Sequence, residues 1–160
     1  MTSNTALLSV AVEPGVMTGD DRAAFLAGER PDDVLIYLAD GAVSDPDALA
    51  AHGERTGEGV VLVLSGERAQ GVFQRTAGID PMAFARRAMN TEGAVRPDCT
   101  GGTCPADGSG GDHRARFVFA FAEEQNEDAG GLYAEGGVIH AYVACACGER
   151  YSDRWIAGER

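Results

Sequence analysis

The apolar positions of this chain fall into short blocks, and the spacing within each block predicts an element. Val34-Leu35-Ile36-Tyr37-Leu38 and Val60-Val61-Leu62-Val63-Leu64 are unbroken apolar runs bounded by Asp, Gly and Ser. Runs of this length without polar alternation predict strands covered on both faces. Between them Ser44-Asp45-Pro46-Asp47 predicts a short helix to Ala51, with proline in the first turn, where its missing N–H is no loss. The strand–helix–strand order predicts a parallel βαβ pair. Ahead of it a helix is expected over residues 18–27, opened by Thr18 as N-cap and stopped by Gly28 and Pro31.

Two more helices are predicted after the second run. One covers residues 67–74; the other starts at Asp80-Pro81 and directs Met82, Phe84, Ala85, Ala88 and Met89 to the core. Phe117, Phe119 and Phe121 alternate with Val118, Ala120 and Ala122, a strand apolar on both faces. Residues 132–135 and 138–144 flank Gly136-Gly137, which predicts a two-residue hairpin, and residues 151–157 supply a last strand. The expected fold class is α/β (α+β) with a mixed sheet: an N-terminal βαβ-like half and a C-terminal antiparallel β-meander. Residues 1–16 show little pattern and are expected to be an extension of a single domain over residues 17–160.

Charge changes the picture. The chain carries 25 acidic residues against 13 basic ones, and all of the latter are Arg. Without Lys there is no Walker-type phosphate lysine and no Schiff-base amine, so Walker nucleotide triphosphatases, pyridoxal enzymes and Lys-dependent kinases are excluded. An acidic surface of this kind repels itself in dilute buffer, and molar salt screens the repulsion within ~3 Å. The composition therefore points to a halophilic cytoplasmic protein, the alternative being an acidic mesophile protein from a GC-rich genome. No apolar run reaches the ~20 residues of a membrane span. Phosphate contacts weaken steeply with salt and Arg86-Arg87 stands as an isolated pair, so nucleic acid is not an expected partner.

The candidate chemistry lies in four cysteines. Cys99 and Cys104 flank Thr-Gly-Gly-Thr, and Cys145 and Cys147 flank Ala146. Two close pairs far apart in sequence resemble the split ligand pattern of a zinc ribbon, in which each of two turns offers two thiolates. Gly101, Gly102 and Gly148 free the backbone to curl, and Pro105 and Gly148 follow their cysteines. Knuckles commonly place two residues between ligands, whereas here there are four and one. His113 is near enough to replace Cys99 as a ligand. A redox pair at Cys145 and Cys147 is the rival reading, and unconnected buried thiols are a third. Arg114, Arg116 and Arg150 nearby would favour thiolates in either of the first two.

Other residues carry blander expectations. His52 is expected as a helix-end surface residue, His140 as a strand residue on the polar side, and residues 123–128 as a solvated acidic loop. Ser65, between strand and helix, is expected as an N-cap rather than a phosphate site.

Segments 25–34 (FLAGERPDDV), 116–126 (RFVFAFAEEQN) and 145–155 (CACGERYSDRW) resemble those of a small family of haloarchaeal proteins of unknown function, over the chain from about Met17 onward. The resemblance implies origin and compartment, and transfers no activity. The reading is a structural-zinc binding or adaptor module with an unidentified protein partner. A thiol redox or zinc-dependent enzyme using Cys145 and Cys147 is the alternative.

Overall fold

In the computed structural model, which describes residues 19–106 and 113–158, the two apolar runs are strands β1 (Asp33–Ala39) and, after the two-residue edge strand β2 (Glu54–Arg55), β3 (Gly59–Ser65). They pair antiparallel, Asp33 opposite Ser65 and Ala39 opposite Gly59, so the expected parallel βαβ pair is corrected. The intervening helix explains why. Pro46–Ala50 has five residues and buries none of them, too little to pack back over the sheet as a crossover must. The apolar runs reflect burial on both faces, which the fold achieves with an antiparallel sheet.

The remaining elements follow the chain. Helix α1 is Gly19–Leu26, α2 the Pro46–Ala50 turn, α3 Gly66–Ala77 and α4 Pro81–Ala88. A small hairpin, β4 (Ala94–Val95) and β5 (Gly102–Thr103), precedes β6 (Ala115–Glu123). Then come α5 (Leu132–Glu135), β7 (Val138–Cys145) and β8 (Arg150–Ile156). The main sheet runs β2-β3-β1-β6-β7-β8, with every neighbouring pair antiparallel. The helix-plus-sheet class and the C-terminal meander stand as expected. Thr18 and the proposed extension at residues 1–16 lie outside the described residues.

Gly136-Gly137 does not make the expected hairpin. Residues 132–135 are helical, and Gly136 is fully extended at φ 171°. Strand β7 already pairs with β6 on one side and β8 on the other, which leaves no edge for residues 132–135 to occupy.

Side chains alternate across the sheet into two cores. On one face Val34, Ile36, Leu38, Val60, Leu62, Phe117 and Phe119 meet Ala69 and Phe73 of α3 and Phe84, Ala85 and Ala88 of α4. Phe73 is central there, stacked on Phe84 at 5.7 Å and edge-on to Phe117 at 5.8 Å and Phe119 at 5.3 Å. On the other face Leu35, Tyr37, Val61, Val118, Ile139, Val143 and Tyr151 meet Phe25 of α1 and Val95, Cys99 and Cys104 of the small hairpin region. Met82 and Met89, expected inside, are 43% and 58% exposed. The buried positions of α4 are 81, 84, 85 and 88, one helical stripe from which 82 and 89 are rotated away.

Caps are set locally. Asp45 Oδ1 accepts from the Ala48 amide at 3.1 Å and Asp80 Oδ2 from Ala83 at 3.2 Å. Ser65 stands at the N-cap of α3 as expected, yet its side chain makes no capping bond.

Candidate metal centre

One end of the sheet gathers three stretches of chain. β6 begins there, with His113 two residues before Ala115; β7 ends there at Cys145, paired with Ala115; and the β7–β8 turn carries Cys147. The turn is tight. Cys145 N–H donates to the Glu149 carbonyl at 2.9 Å and Gly148 N–H returns to the Cys145 carbonyl at 2.9 Å, with Gly148 at φ 99°, where a side chain would be strained. The Ala146 amide also donates to the Arg114 carbonyl at 2.8 Å, which ties the turn to the strand carrying His113.

The third stretch comes from the small hairpin. Residues 91–95 dock along β8: Gly93 N–H donates to Ser152 O, Ser152 N–H to Thr91 O, and Val95 N–H to Asp153 Oδ2 at 3.1 Å. The chain then turns, Arg96 N–H bonding Gly101 O at 2.7 Å, and comes back through β5 to present Cys104. Gly102 makes this return possible, because a Cβ there would run into the Ala94 carbonyl oxygen and come within 3.0 Å of the Tyr151 hydroxyl.

Cys104, His113, Cys145 and Cys147 thereby place four donor atoms all within 4.8 Å of one another. The Cys104 and Cys147 sulfurs are 3.8 Å apart, as are the Cys145 sulfur and His113 Nδ1. Four ligands at ~2.3 Å from a tetrahedral Zn²⁺ would sit about 3.8 Å from each other, so the close pairs already match and the widest needs to contract by about 1 Å. Three sulfurs and one imidazole are also a soft and borderline donor set suited to zinc rather than to magnesium or calcium.

Cys99 is not one of the four. It lies in the turn of the small hairpin, on the far side of β5 from Cys104, with its amide bonded to Arg96 O and its backbone at φ 61°. Its side chain is wholly buried in the core, and burial pushes the thiol up to about 12. The fourth donor atom comes from His113, the substitute that its place in the sequence offered.

Each sulfur in the group receives an amide from two residues further along. Ala106 N–H points to Cys104 Sγ at 3.4 Å, Glu149 N–H to Cys147 Sγ at 3.5 Å, and the Cys147 amide to Cys145. Such donors favour negative charge on sulfur. They lower the Cys147 thiol below its usual value, chiefly through the Glu149 amide. Burial wins at Cys145, pushed up to about 12, and at Cys104, also raised. Protons therefore stay on the two buried thiols at neutral pH unless a cation displaces them.

The histidines elsewhere behave differently. His52 is exposed at the end of α2 as expected. His140 is half-buried: its ring stacks on Phe121 at 4.9 Å and lies 5.9 Å from Tyr133, and Nε2 bonds Glu123 Oε1 at 2.8 Å. Glu123 is thus anchored at the start of the acidic loop.

The fold and the site together define an α+β domain with one antiparallel sheet and a possible metal-binding group of three cysteines and a histidine. A family of unknown function, DUF5807, matches residues 53–158, and the chain belongs to it. The match takes in every donor of the group and stops short of β1, the strand between β3 and β6. No curated protein and no solved structure matches the chain. Among the described residues no helix is long and apolar enough to cross a membrane.

Proposed function

We propose that this domain is a binding or adaptor module whose small hairpin is clipped to the end of the sheet by Zn²⁺, held by Cys104, His113, Cys145 and Cys147. The convergence of these donors from three separate stretches carries the reading. Two-residue strands such as β4 and β5 bury too little to hold themselves in place, and a structural zinc contributes ~10–16 kcal/mol of apparent binding energy in small modules. Four protein donors make a closed site, which suits structure rather than catalysis. The acidic, Lys-free composition supports a salt-rich cytoplasm as its compartment.

Elemental analysis of protein purified in high salt, with thiol counting before and after chelation, tests this. The expected result is one zinc per chain, one reactive thiol or none before chelation, and at least three after it. Metal-free protein whose thiols react freely from the start would rule it out.

Thiol redox is the second reading, favoured by Cys147, which is exposed and has the lowered thiol. It requires reversible loss of two thiols in protein that carries no metal.

A further inference from the structure

Some arginines of this chain are ion-paired and others are not. Arg22, Arg30 and Arg55 each meet a carboxylate at 2.7 Å, on Glu54, Asp21 and Asp40 respectively, and Arg96 lies 3.7 Å from Asp98. Arg68, Arg75, Arg86, Arg87, Arg116, Arg150 and Arg154 have no carboxylate partner among the described residues, and of these Arg87, Arg116 and Arg150 stand out by position. These three come together in one place from three elements, α4, β6 and β8.

An aromatic cluster organises them. The Arg150 guanidinium lies over the Phe84 ring at 5.8 Å, and Arg116 over the Phe117 ring at 5.2 Å. Phe84 and Phe117 both pack against Phe73, and Arg87 is three residues beyond Phe84 on the same helix, hence on a neighbouring part of its surface. Each ring attracts the guanidinium over it through its π face and takes up none of that group's N–H donors. Arg150 Nε is buried with no hydrogen-bond partner, and burial, with Arg87 and Arg116 adding to it, holds this side chain below its ordinary pKa. Three like charges gathered at a partly desolvated spot oppose folding unless an anion joins them.

The patch also stands apart from the candidate metal centre. Phe117 and Ala144, which is paired with Arg150, face the α3–α4 side of the sheet, whereas Cys145 and Tyr151 face the other. Arg116 and Arg150 therefore do not serve the thiolates they neighbour in sequence.

We infer that Arg87, Arg116 and Arg150 form a binding site for a phosphate group carried by a small molecule. Tetrahedral phosphate offers oxygens in several directions to guanidinium groups arriving from three elements, and its double negative charge suits them better than a single carboxylate does. The ligand is small because the remainder of the surface, in a chain of net charge −12, repels an extended polyanion. The site neither depends on zinc nor supplies it.

Calorimetric titration of the full chain tests this, using inorganic phosphate in one arm and glycerol 3-phosphate in the other, at fixed ionic strength set with chloride. Expected is saturable binding in at least one arm, weakened about tenfold or more by Arg87→Gln and by Arg116→Gln, two exposed positions. The arm that binds tighter separates free phosphate from a phosphomonoester. No heat beyond that of chloride, affinity unchanged in both variants, or tighter binding of a single-stranded oligonucleotide or a glutamate-rich peptide would each overturn the proposal. Zinc content, measured on the same samples, distinguishes failure here from failure of the metal reading, since Arg87→Gln should leave it unaltered.

Discussion

The sulfurs of Cys104 and Cys147 stand 3.8 Å apart although 43 positions separate the two residues in the chain. Nothing local produces that approach. It depends on the small hairpin docking along β8 and on the β7–β8 turn folding back beside β6. If zinc holds the two sulfurs, replacing either one should have effects that replacing Cys99 does not. Cys104→Ser is expected to abolish stoichiometric zinc. Cys99→Ala should keep zinc and lose about 1 kcal/mol of stability from the buried sulfur, as read by metal analysis and denaturant unfolding of both proteins. Equal zinc loss in the two variants would contradict the assignment of His113 as fourth donor.

Acid should release the metal. The Cys145 thiol is pushed up to about 12 by burial and Cys104 is also raised, so both carry protons at neutral pH in the metal-free protein. Zinc must displace these two protons. Its apparent affinity is therefore expected to rise by at least about 100-fold per pH unit through the neutral range, and to fall as pH drops. Competition against a chromophoric chelator at pH 6, 7 and 8 measures the slope, and a flat profile would count against thiolate ligation.

Gly102 is where the hairpin backbone passes closest to its neighbours. Gly102→Ala puts a methyl group against the Ala94 carbonyl and 2.9 Å from the Val95 Cα, and neither can withdraw without opening the hairpin. A loss of about 2 kcal/mol in thermal unfolding is expected, together with weaker zinc retention because Cys104 is displaced. A change in stability with zinc affinity untouched would separate hairpin from site.

Phe73 supports the other core, where three phenylalanine rings converge on it. Phe73→Ala should cost about 3–5 kcal/mol, while Met82→Gln, at an exposed position of α4, should stay within about 0.5 kcal/mol. Denaturant midpoints of the two variants check the contrast. Comparable losses would mean that Met82 is covered in solution.

Periodicity and punctuation are local properties, and they were enough to locate most elements. The apolar runs at 34–38 and 60–64, the proline-led helices at Pro46 and Pro81 and the phenylalanine-rich strand at 117–121 all occur where the side-chain pattern puts them. What a strand pairs with, and in which direction, is not local. An unbroken apolar run records only that both faces are covered, so β1 and β3 read equally well as a parallel or an antiparallel pair until α2 proves too short to cross the sheet. Residues 132–135 likewise needed knowledge that both edges of β7 were taken.

The site divides in the same way. By itself the sequence determined that thiols and a histidine were present with glycines free to bend around them, and that the chain was acidic and without lysine. Only the tertiary structure decided which donors meet. Cys99 and Cys104 flank a two-residue strand, and although both are buried in the same core only Cys104 also reaches the end of the sheet beside His113. It likewise brought Arg87 to Arg116 and Arg150, because distance through space is set by strand pairing and helix packing, which a linear spacing does not encode.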